Sequence, residues 1–224
     1  MWPFSTSKYS SIILYFYDAW LMKFANPFIW LCSTTDILIP LHQRNVGVGN
    51  HCDIGCGTGY YLVHNTYSPQ SIITLLDIEP TPLSVTKSRL QKSHPNLGVY
   101  SHQHDILSTE PIPPPPSAST YDSISLTYLL HTLPVPATEK ILVFEKTKAA
   151  LKPSGVVFGA TILGRGSYHT AAGRMLLRVL NWEKRLSNYD DEPEIFIKAL
   201  KANFQAVRYD IIGSILVFEA REPR

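Results

Sequence analysis

The stretch that decides the fold reads Asp53-Ile54-Gly55-Cys56-Gly57-Thr58-Gly59. A short strand, Asn50–Ile54, is predicted before it, and a helix near Tyr60–Asn65 after it. Glycines at alternate positions permit positive backbone φ angles and let a ligand approach the main chain closely. The spacing G-x-G-x-G differs from the G-x-G-x-x-G of dinucleotide-binding proteins, and no Gly-Lys-Ser/Thr follows as in a P-loop. The turn therefore predicts a ligand site of a different kind.

Two carboxylates indicate the charge of that ligand. Asp53 ends the first predicted strand, beside the crevice, where it would repel a pyrophosphate and suit a cation such as an amino group or a sulfonium. Asp77 follows an apolar run and lies 18 residues after Gly59, close to the spacing of about 20 at which an acidic residue bonds ribose hydroxyls. The pattern predicts a pocket for a nucleoside that carries positive charge and no phosphate.

Strands and helices alternate over residues 50–163, which predicts an α/β fold with a parallel sheet and helices on both faces. The last two strands have no helix between them, so they form a C-terminal antiparallel hairpin. Further strands are predicted at Ser71–Leu76, Leu97–His102, Tyr121–Tyr128, Val156–Leu163, Phe204–Ile212 and Ser214–Ala220. Helices are predicted at Pro82–Ser93, Ala137–Leu151, Thr170–Asn181 and Glu192–Asn203.

Prolines mark the irregular segments. Glu110–Thr120 includes four successive prolines and is predicted to be a polyproline-like surface loop. Lys152–Gly155 is predicted to stop the preceding helix. Near the N-terminus, residues 8–25 and 28–45 have helical character, with Pro27 between the two segments and Pro40 interrupting the second.

Composition limits the functional classes. A chain of 224 residues and 25.2 kDa with 45% apolar residues is one ordered domain, residues 1–224. Lys and Arg number 20 against 18 Asp and Glu, and no basic block appears, so no nucleic acid is expected as a partner. The three cysteines form no metal or disulfide framework, which is typical of reduced thiols in a cytoplasmic protein.

The apolar stretch Ile12–Leu31 carries Asp18, Lys23 and Pro27, which argues against a membrane-spanning helix. We expect an aromatic helix docked on the core or over a pocket. Contact with a membrane surface is the less favoured alternative, and the same aromatic residues could serve a homodimer interface.

The motifs DIGCGTG, LLDIEP, HDIL, LTYLLHTLP and LKPSGVVFGATIL, in this order, resemble those of class I S-adenosylmethionine-dependent methyltransferases. The resemblance covers residues 50–220 and implies a Rossmann-like, seven-stranded, mostly parallel sheet with S-adenosylmethionine as cofactor. The segment Tyr15–Leu31 is similar to the lid of small UbiE-like members that act on small molecules, so residues 1–45 are expected to form an N-terminal helical lid.

The resemblance also assigns site residues. The methionine end of the cofactor would lie against the glycine turn, Asp77 would bind the ribose, and Ile78 would pack on the adenine. Asp105 and Ile106 would contact the adenine edge, while Thr127 and Tyr128 would line the methyl-transfer site. Tyr17 would close over the cofactor from the lid. The expected cofactor-binding set is Asp53, Gly55, Cys56, Gly57, Gly59, Asp77, Ile78, Asp105, Ile106, Thr127 and Tyr17.

Methyl transfer requires that the acceptor and the methyl group are aligned and that water is excluded. A base is needed only where the acceptor must lose a proton. His131 follows the fourth predicted strand on the ligand side of the sheet and is the candidate base, with Tyr128 beside it. The alternative is a histidine that only packs or caps a helix. His102, His104 and Asp105 form H-x-H-D, but no further ligand cluster is evident, and no metal is expected.

The function implied is methylation of a small molecule, with oxygen as the expected acceptor atom, in a specialised biosynthetic pathway. The sequence after the fourth strand, LTYLLHTLP, lacks the Asn-Pro-Pro-Tyr of enzymes that methylate amides or adenine. Two alternatives stay open at this point. One is a methyltransferase-like cyclase or isomerase that binds the cofactor without methylating, and the other is a non-catalytic binding subunit.

Overall fold

A computed structural model describes residues 21–224, and a single seven-stranded sheet organises them. The strand order is β3-β2-β1-β4-β5-β7-β6. The strands span β1 Asn50–Ile54, β2 Ile72–Asp77, β3 Gly98–Gln103, β4 Tyr121–Thr127, β5 Leu151–Ile162, β6 Phe204–Ile212 and β7 Ile215–Pro223.

The pairing pattern confirms the predicted sheet. Strands β1 to β5 pair in parallel, because each returns to the same edge through a crossover. Strand β7 lies antiparallel between β5 and β6, so the hairpin closes one side of the sheet as expected. The chain reverses direction across the sheet between β1 and β4, which opens a crevice at the carboxyl ends of these two strands.

Helices cover both faces and bury two apolar layers. One layer includes Trp30 and Leu41 from the N-terminal segments, and the other includes Phe144 and Phe196 from helices on the opposite face. The α-helices are α1 Ile39–Asn45, α2 Tyr60–Val63, α3 Pro80–Ser93, α4 Ala137–Lys140, α5 Leu142–Ala150, α6 Ala171–Trp182 and α7 Pro193–Asn203. Among residues 21–224, none of the helices has the length and apolar character that crossing a bilayer requires.

The N-terminal segment departs from the prediction at Pro27. This residue lies inside a π-helical segment, Leu21–Ile29, instead of separating two helices. Proline has no N–H to bond the carbonyl of Met22, five residues earlier. The hydroxyl of Thr34 donates to that carbonyl at 2.6 Å, which satisfies it and explains why the helical turn tolerates the proline.

Two other prolines also differ from their predicted roles. A second π-helical turn, Thr34–Leu38, leads directly into α1, and Pro40 lies in the first turn of α1, where its missing N–H costs nothing. Pro153 lies within β5, which begins at Leu151.

The four residues Lys152–Gly155 fall between the pairs Tyr121↔Leu151 and Ser123↔Val156. The predicted stop is therefore a bulge within the strand, although the preceding helix does end at Ala150.

The connection between β3 and β4 contains no helix. Residues 104–120 cross two strands as an irregular, proline-rich loop, in agreement with the predicted surface loop. Ile112 is buried and Tyr121 donates its phenol hydrogen to the carbonyl of Pro113 at 2.6 Å. These two contacts attach the loop to the core in place of a helix.

A buried ion pair fixes the segment before α7. Lys140 is fully buried, and its ammonium group donates to Asp191 at 2.7 Å and to the Ser187 carbonyl at 2.6 Å. Burial lowers the pKa of Lys140 and raises that of Asp191, while each charge opposes the shift of the other. Neither charge could stay in this place without its partner.

We expect Asp191→Ala to lower the free energy of unfolding by about 3–5 kcal/mol, because it leaves the Lys140 charge buried and unpaired. The control is Asp190→Ala, which removes an exposed ion pair with Arg165 and should cost less than about 1 kcal/mol. Urea unfolding followed by circular dichroism measures both. Equal losses in the two variants would show that the buried pair has no special role.

Candidate functional site

The glycine turn leaves β1 at the crevice and bends back into α2. Gly55, Gly57 and Gly59 have φ angles of 74°, 52° and 68°, in the left-handed region that glycine adopts without strain. A Cβ atom at Gly59 would lie 2.6 Å from a methyl group of Thr86, so a side chain is excluded there by packing as well. A Cβ at Gly57 would meet nothing within 4 Å, because this glycine faces open space.

Helix α3 holds the turn from outside. The hydroxyl of Thr86 donates to the Gly57 carbonyl at 3.0 Å, and the guanidinium of Arg89 donates to the Thr58 carbonyl at 2.9 Å. Two carbonyls of the turn are thus bonded to α3. This arrangement fixes the turn in a conformation that presents its bare backbone to a ligand.

Asp53 is almost removed from water at the end of β1, with 7% of its surface exposed. The Ser125 hydroxyl of β4 donates to its carboxylate. Burial raises the pKa of Asp53 to about 6, Ser125 opposes this shift, and the nearby Asp77 charge adds to it. No Lys or Arg among residues 21–224 pairs with this carboxylate, so it suits a cationic group that a ligand brings.

Asp77 ends β2 beside the turn. One carboxylate oxygen accepts a hydrogen bond from the Glu79 N–H at 2.9 Å. Burial raises the pKa of Asp77, and backbone N–H groups of Glu79, Gly57 and Ile78 oppose the rise. Ile78 follows with 55% of its surface exposed. An acceptor next to an exposed apolar side chain is a fitting surface for a sugar and a base.

A cavity of about 160 Å³ lies between the glycine turn, the end of β4 and the N-terminal segments. It brings together six of the predicted site residues with Tyr128 and several residues that were not predicted. The residues that line it are Met22, His42, Asp53, Gly55, Cys56, Gly57, Thr58, Gly59, Tyr60, Tyr61, Leu62, Thr127 and Tyr128.

Tyr128 connects the cavity to the N-terminal segment. It is a non-glycine residue with a positive φ of 60°, a strained turn directly after β4. Its phenol donates to the amide oxygen of Asn26 at 2.9 Å, and the Asn26 amide nitrogen donates to Thr34 at 3.0 Å. Asn26 is fully buried, so this chain of hydrogen bonds fastens the N-terminal segment over the end of β4.

His131 does not line the cavity. Its ring lies edge-on to Tyr128, with centroids 5.5 Å apart, and its Nδ1 accepts from the Ile162 N–H at 3.3 Å. Burial, followed by the charge of Lys140, lowers the pKa of His131 to about 3. A histidine in this environment is a weak proton acceptor near neutral pH, so the structure favours the packing alternative over the expected base.

Asp105 and Ile106 are not among the residues that line the cavity. Asp105 is exposed and accepts from the Leu107 N–H at 2.8 Å in a tight turn, while the Ile106 side chain belongs to the buried core. Tyr17 lies outside the described residues, as does the rest of the expected lid up to residue 20. Within residues 21–224 no three His, Cys, Asp or Glu side chains are grouped as metal ligands.

Sequence reasoning missed His42, Asn26 and Met22. His42 lies in α1, is buried to 1% exposure, and pairs through Nε2 with the Thr127 hydroxyl at 2.9 Å. The chain gives no local signal for this contact, because the partner lies 85 residues away. Only the packing of the N-terminal segments against the end of β4 creates it.

The comparisons with known proteins agree with this geometry. A family model described as a methyltransferase domain matches residues 52–157. The chain is 39% identical over 216 residues to the physcion biosynthesis cluster O-methyltransferase of Aspergillus chevalieri, with 96% of this chain and 94% of that protein covered. It is 37% identical over 222 residues to methyltransferase ctvB of Aspergillus terreus, with 96% and 93% covered.

One solved structure with this fold contains a bound ligand. N-methyltransferase NodS from Bradyrhizobium japonicum, in complex with S-adenosyl-L-homocysteine, shares the fold with a TM-score of 0.57 at 16% identity, over 85% of each chain. The buried carboxylate of Asp53, which has no cationic partner in the part of the chain that the structure describes, and the open backbone at Gly57 fit the positively charged nucleoside that this class of enzyme uses. The chain therefore belongs to the class I S-adenosylmethionine-dependent methyltransferases, with S-adenosylmethionine as its cofactor.

Proposed function

We propose that the protein methylates a hydroxyl oxygen of a small aromatic acceptor in the biosynthesis of a specialised metabolite. The observation that carries this proposal is the cavity, where a carboxylate suited to a cation lies close to an aromatic wall. Tyr60, Tyr61 and Tyr128 form that wall. The relative from Aspergillus chevalieri, which is named an O-methyltransferase of physcion biosynthesis, supports oxygen as the acceptor atom.

The bound cofactor supplies an electrophilic methyl group on a sulfonium. The protein contributes alignment and exclusion of water, since the reaction is an in-line displacement in which opposite charges disappear. We place both tasks in the cavity that Met22 and Tyr128 line beside the glycine turn. No strong base is needed where the acceptor enters with its proton already lost.

We assign the cofactor contacts as follows. Asp53 and the backbone of the glycine turn take the amino and carboxylate groups of the methionine end. Asp77 takes the ribose hydroxyls, Ile78 packs on the adenine, and the turn at Asp105 and Ile106 lies at the adenine edge. Thr127 and Tyr128 face the transferred methyl group, and His131 supports Tyr128 from behind instead of taking a proton.

The partner is a small-molecule acceptor. Dimerisation and contact with a membrane surface stay predictions. Both are supported by exposed apolar side chains on Leu21–Ile29 and on α6, where Phe28 is 64% and Trp182 is 82% exposed.

Release of S-adenosyl-L-homocysteine from labelled cofactor tests the function. We expect product with phenols and none with aliphatic amines, in a panel that also includes carboxylic acids. Tight cofactor binding without release from any acceptor would favour the cyclase or isomerase alternative. Absence of binding would contradict the assignment of the cavity.

We expect Asp53→Asn to stabilise the free protein and to weaken ligand binding. The raised pKa of Asp53 means that the folded state favours the protonated form. The protonated carboxyl of Asp53 therefore contributes its full share of stability below the ordinary pKa of an aspartate, and this contribution is lost as the pH rises through about 6. A neutral amide avoids that loss, so the free energy of unfolding at pH 8 should rise by about 2–3 kcal/mol, the equivalent of the pKa shift.

In the same variant, affinity for S-adenosyl-L-homocysteine should fall at least about tenfold, because a charged hydrogen bond is lost. Urea unfolding and calorimetric titration provide the two readings. Asp210→Asn, at an exposed position of β6, is the control and should change neither. A wild-type binding affinity that stays constant from pH 5 to pH 8 would contradict the assignment.

We expect Gly57→Ala to separate binding from folding. The left-handed φ costs roughly 1 kcal/mol with a Cβ present, but the new methyl group would enter open space that we assign to the cofactor. Cofactor affinity should fall at least about tenfold while the melting temperature changes little. The control is Gly166→Ala, which also meets nothing within 4 Å and has no positive φ. Unchanged affinity in Gly57→Ala would place the ligand elsewhere.

A further inference from the structure

One buried polar group lines the cavity without a role in the proposed function. The Nδ1 atom of His42 is buried and has no hydrogen-bond partner among residues 21–224, while Nε2 lies 2.9 Å from the Thr127 hydroxyl. A buried polar atom without a partner carries a free-energy penalty, so its presence calls for an explanation. His42 contacts the same end of β4 at which we place methyl transfer.

The surroundings keep His42 neutral. Its ring stacks on Tyr61 of α2, with centroids 4.8 Å apart and planes at 14°. The ring of Phe158 from β5 is nearly perpendicular to it, with centroids 5.0 Å apart. Burial lowers the pKa of His42 well below its ordinary value, and the neighbouring His51 of β1 adds to the effect. Among the Asp and Glu side chains of residues 21–224, Asp53 is the one that lines the same cavity as His42. His42 therefore acts as a fixed hydrogen-bonding ring and is not a proton acceptor.

We propose that His42 is a positioning residue for the methyl acceptor. In this arrangement its Nε2–H donates to the Thr127 oxygen and turns the hydroxyl hydrogen of Thr127 into the cavity. There the hydroxyl binds an acceptor oxygen that is already ionised, which selects phenols that exist as phenolates. This inference rests on the proposed function and names the ionisation state of its substrate.

The transfer balances without a base. A lone pair of the phenolate oxygen forms the new O–C bond, and the S–C bond breaks with its electron pair passing to sulfur. The negative charge of the phenolate and the positive charge of the sulfonium cancel, so no proton is released in the step. A hydrogen bond donated by Thr127 favours the charged form of the acceptor, which is why it selects the phenolate on binding.

The test compares Thr127→Val with His42→Phe. The first removes the hydroxyl, and the second keeps an aromatic ring against Tyr61 while it removes the donor. The acceptors are two phenols at pH 7.5, one with a pKa near the usual value of about 10 and one about three units lower. We expect each variant to raise KM for the acidic phenol at least about tenfold more than it raises KM for the other phenol.

Three further readings separate positioning from a merely structural role. The double variant should be no worse than either single one, because both remove one shared hydrogen bond. Affinity for S-adenosyl-L-homocysteine should stay within about twofold of the wild type in His42→Phe. His42→Gln places an amide donor where Nε2 lies and should recover part of the loss. Thr147→Val, a buried threonine of α5 outside the cavity, is the matched control and should behave as wild type.

The outcomes distinguish this inference from the proposed function. A wild-type protein that methylates neither phenol would overturn both. A wild-type protein that is active, with variants that lose activity equally on both phenols or with additive losses, would overturn the role of His42 alone. If His42→Phe does not fold, Thr127→Val still tests the preference for phenolate.

Discussion

A carboxylate that the fold removes from water is the constraint on which the site depends. Asp53 ends a buried strand, and its Ser125 hydrogen bond compensates only in part for the loss of solvent, so its pKa stays near 6. At neutral pH the free protein therefore holds a buried negative charge that lowers its free energy of unfolding. A ligand that brings a cation to Asp53 would relieve this cost, so we expect cofactor binding and stability to be linked through this carboxylate.

The topology of the sheet explains why Asp53 lies close to Thr127. The order β3-β2-β1-β4 makes β1 and β4 neighbours in the sheet, although β2 and β3 lie between them in the sequence. Their carboxyl ends carry Asp53 and Thr127, and the reversal of chain direction leaves no crossover to cover them. The N-terminal segments fill this opening, and Asn26 and His42 fasten them to Tyr128 and Thr127. We therefore propose that cofactor and acceptor bind at one edge of the sheet, under residues 21–45.

Much of the fold could be predicted from the sequence, since local patterns determine it. The strand Asn50–Ile54 matches to the residue, and the C-terminal hairpin and the glycine turn appear where predicted. Local rules failed where a tertiary contact replaces a local one. Pro27 can lie inside a helical turn because the carbonyl of Met22, which the proline cannot bond, accepts a hydrogen bond from the Thr34 side chain instead.

The same reason limits prediction of the site. The glycines and Asp77 have fixed spacing along the chain, so sequence alone predicted them. His131 had the expected position after β4, but only the packing around it shows how strongly burial suppresses its basicity. His42 gave no signal, because its importance comes from Tyr61 and Thr127, which the fold brings to it.

A crystal structure of the protein with S-adenosyl-L-homocysteine tests the account most directly. We expect the amino group of the ligand within hydrogen-bonding distance of Asp53, and the ribose hydroxyls within the same distance of Asp77. A ligand bound away from the glycine turn, or one whose amino group has no contact with Asp53, would contradict the account.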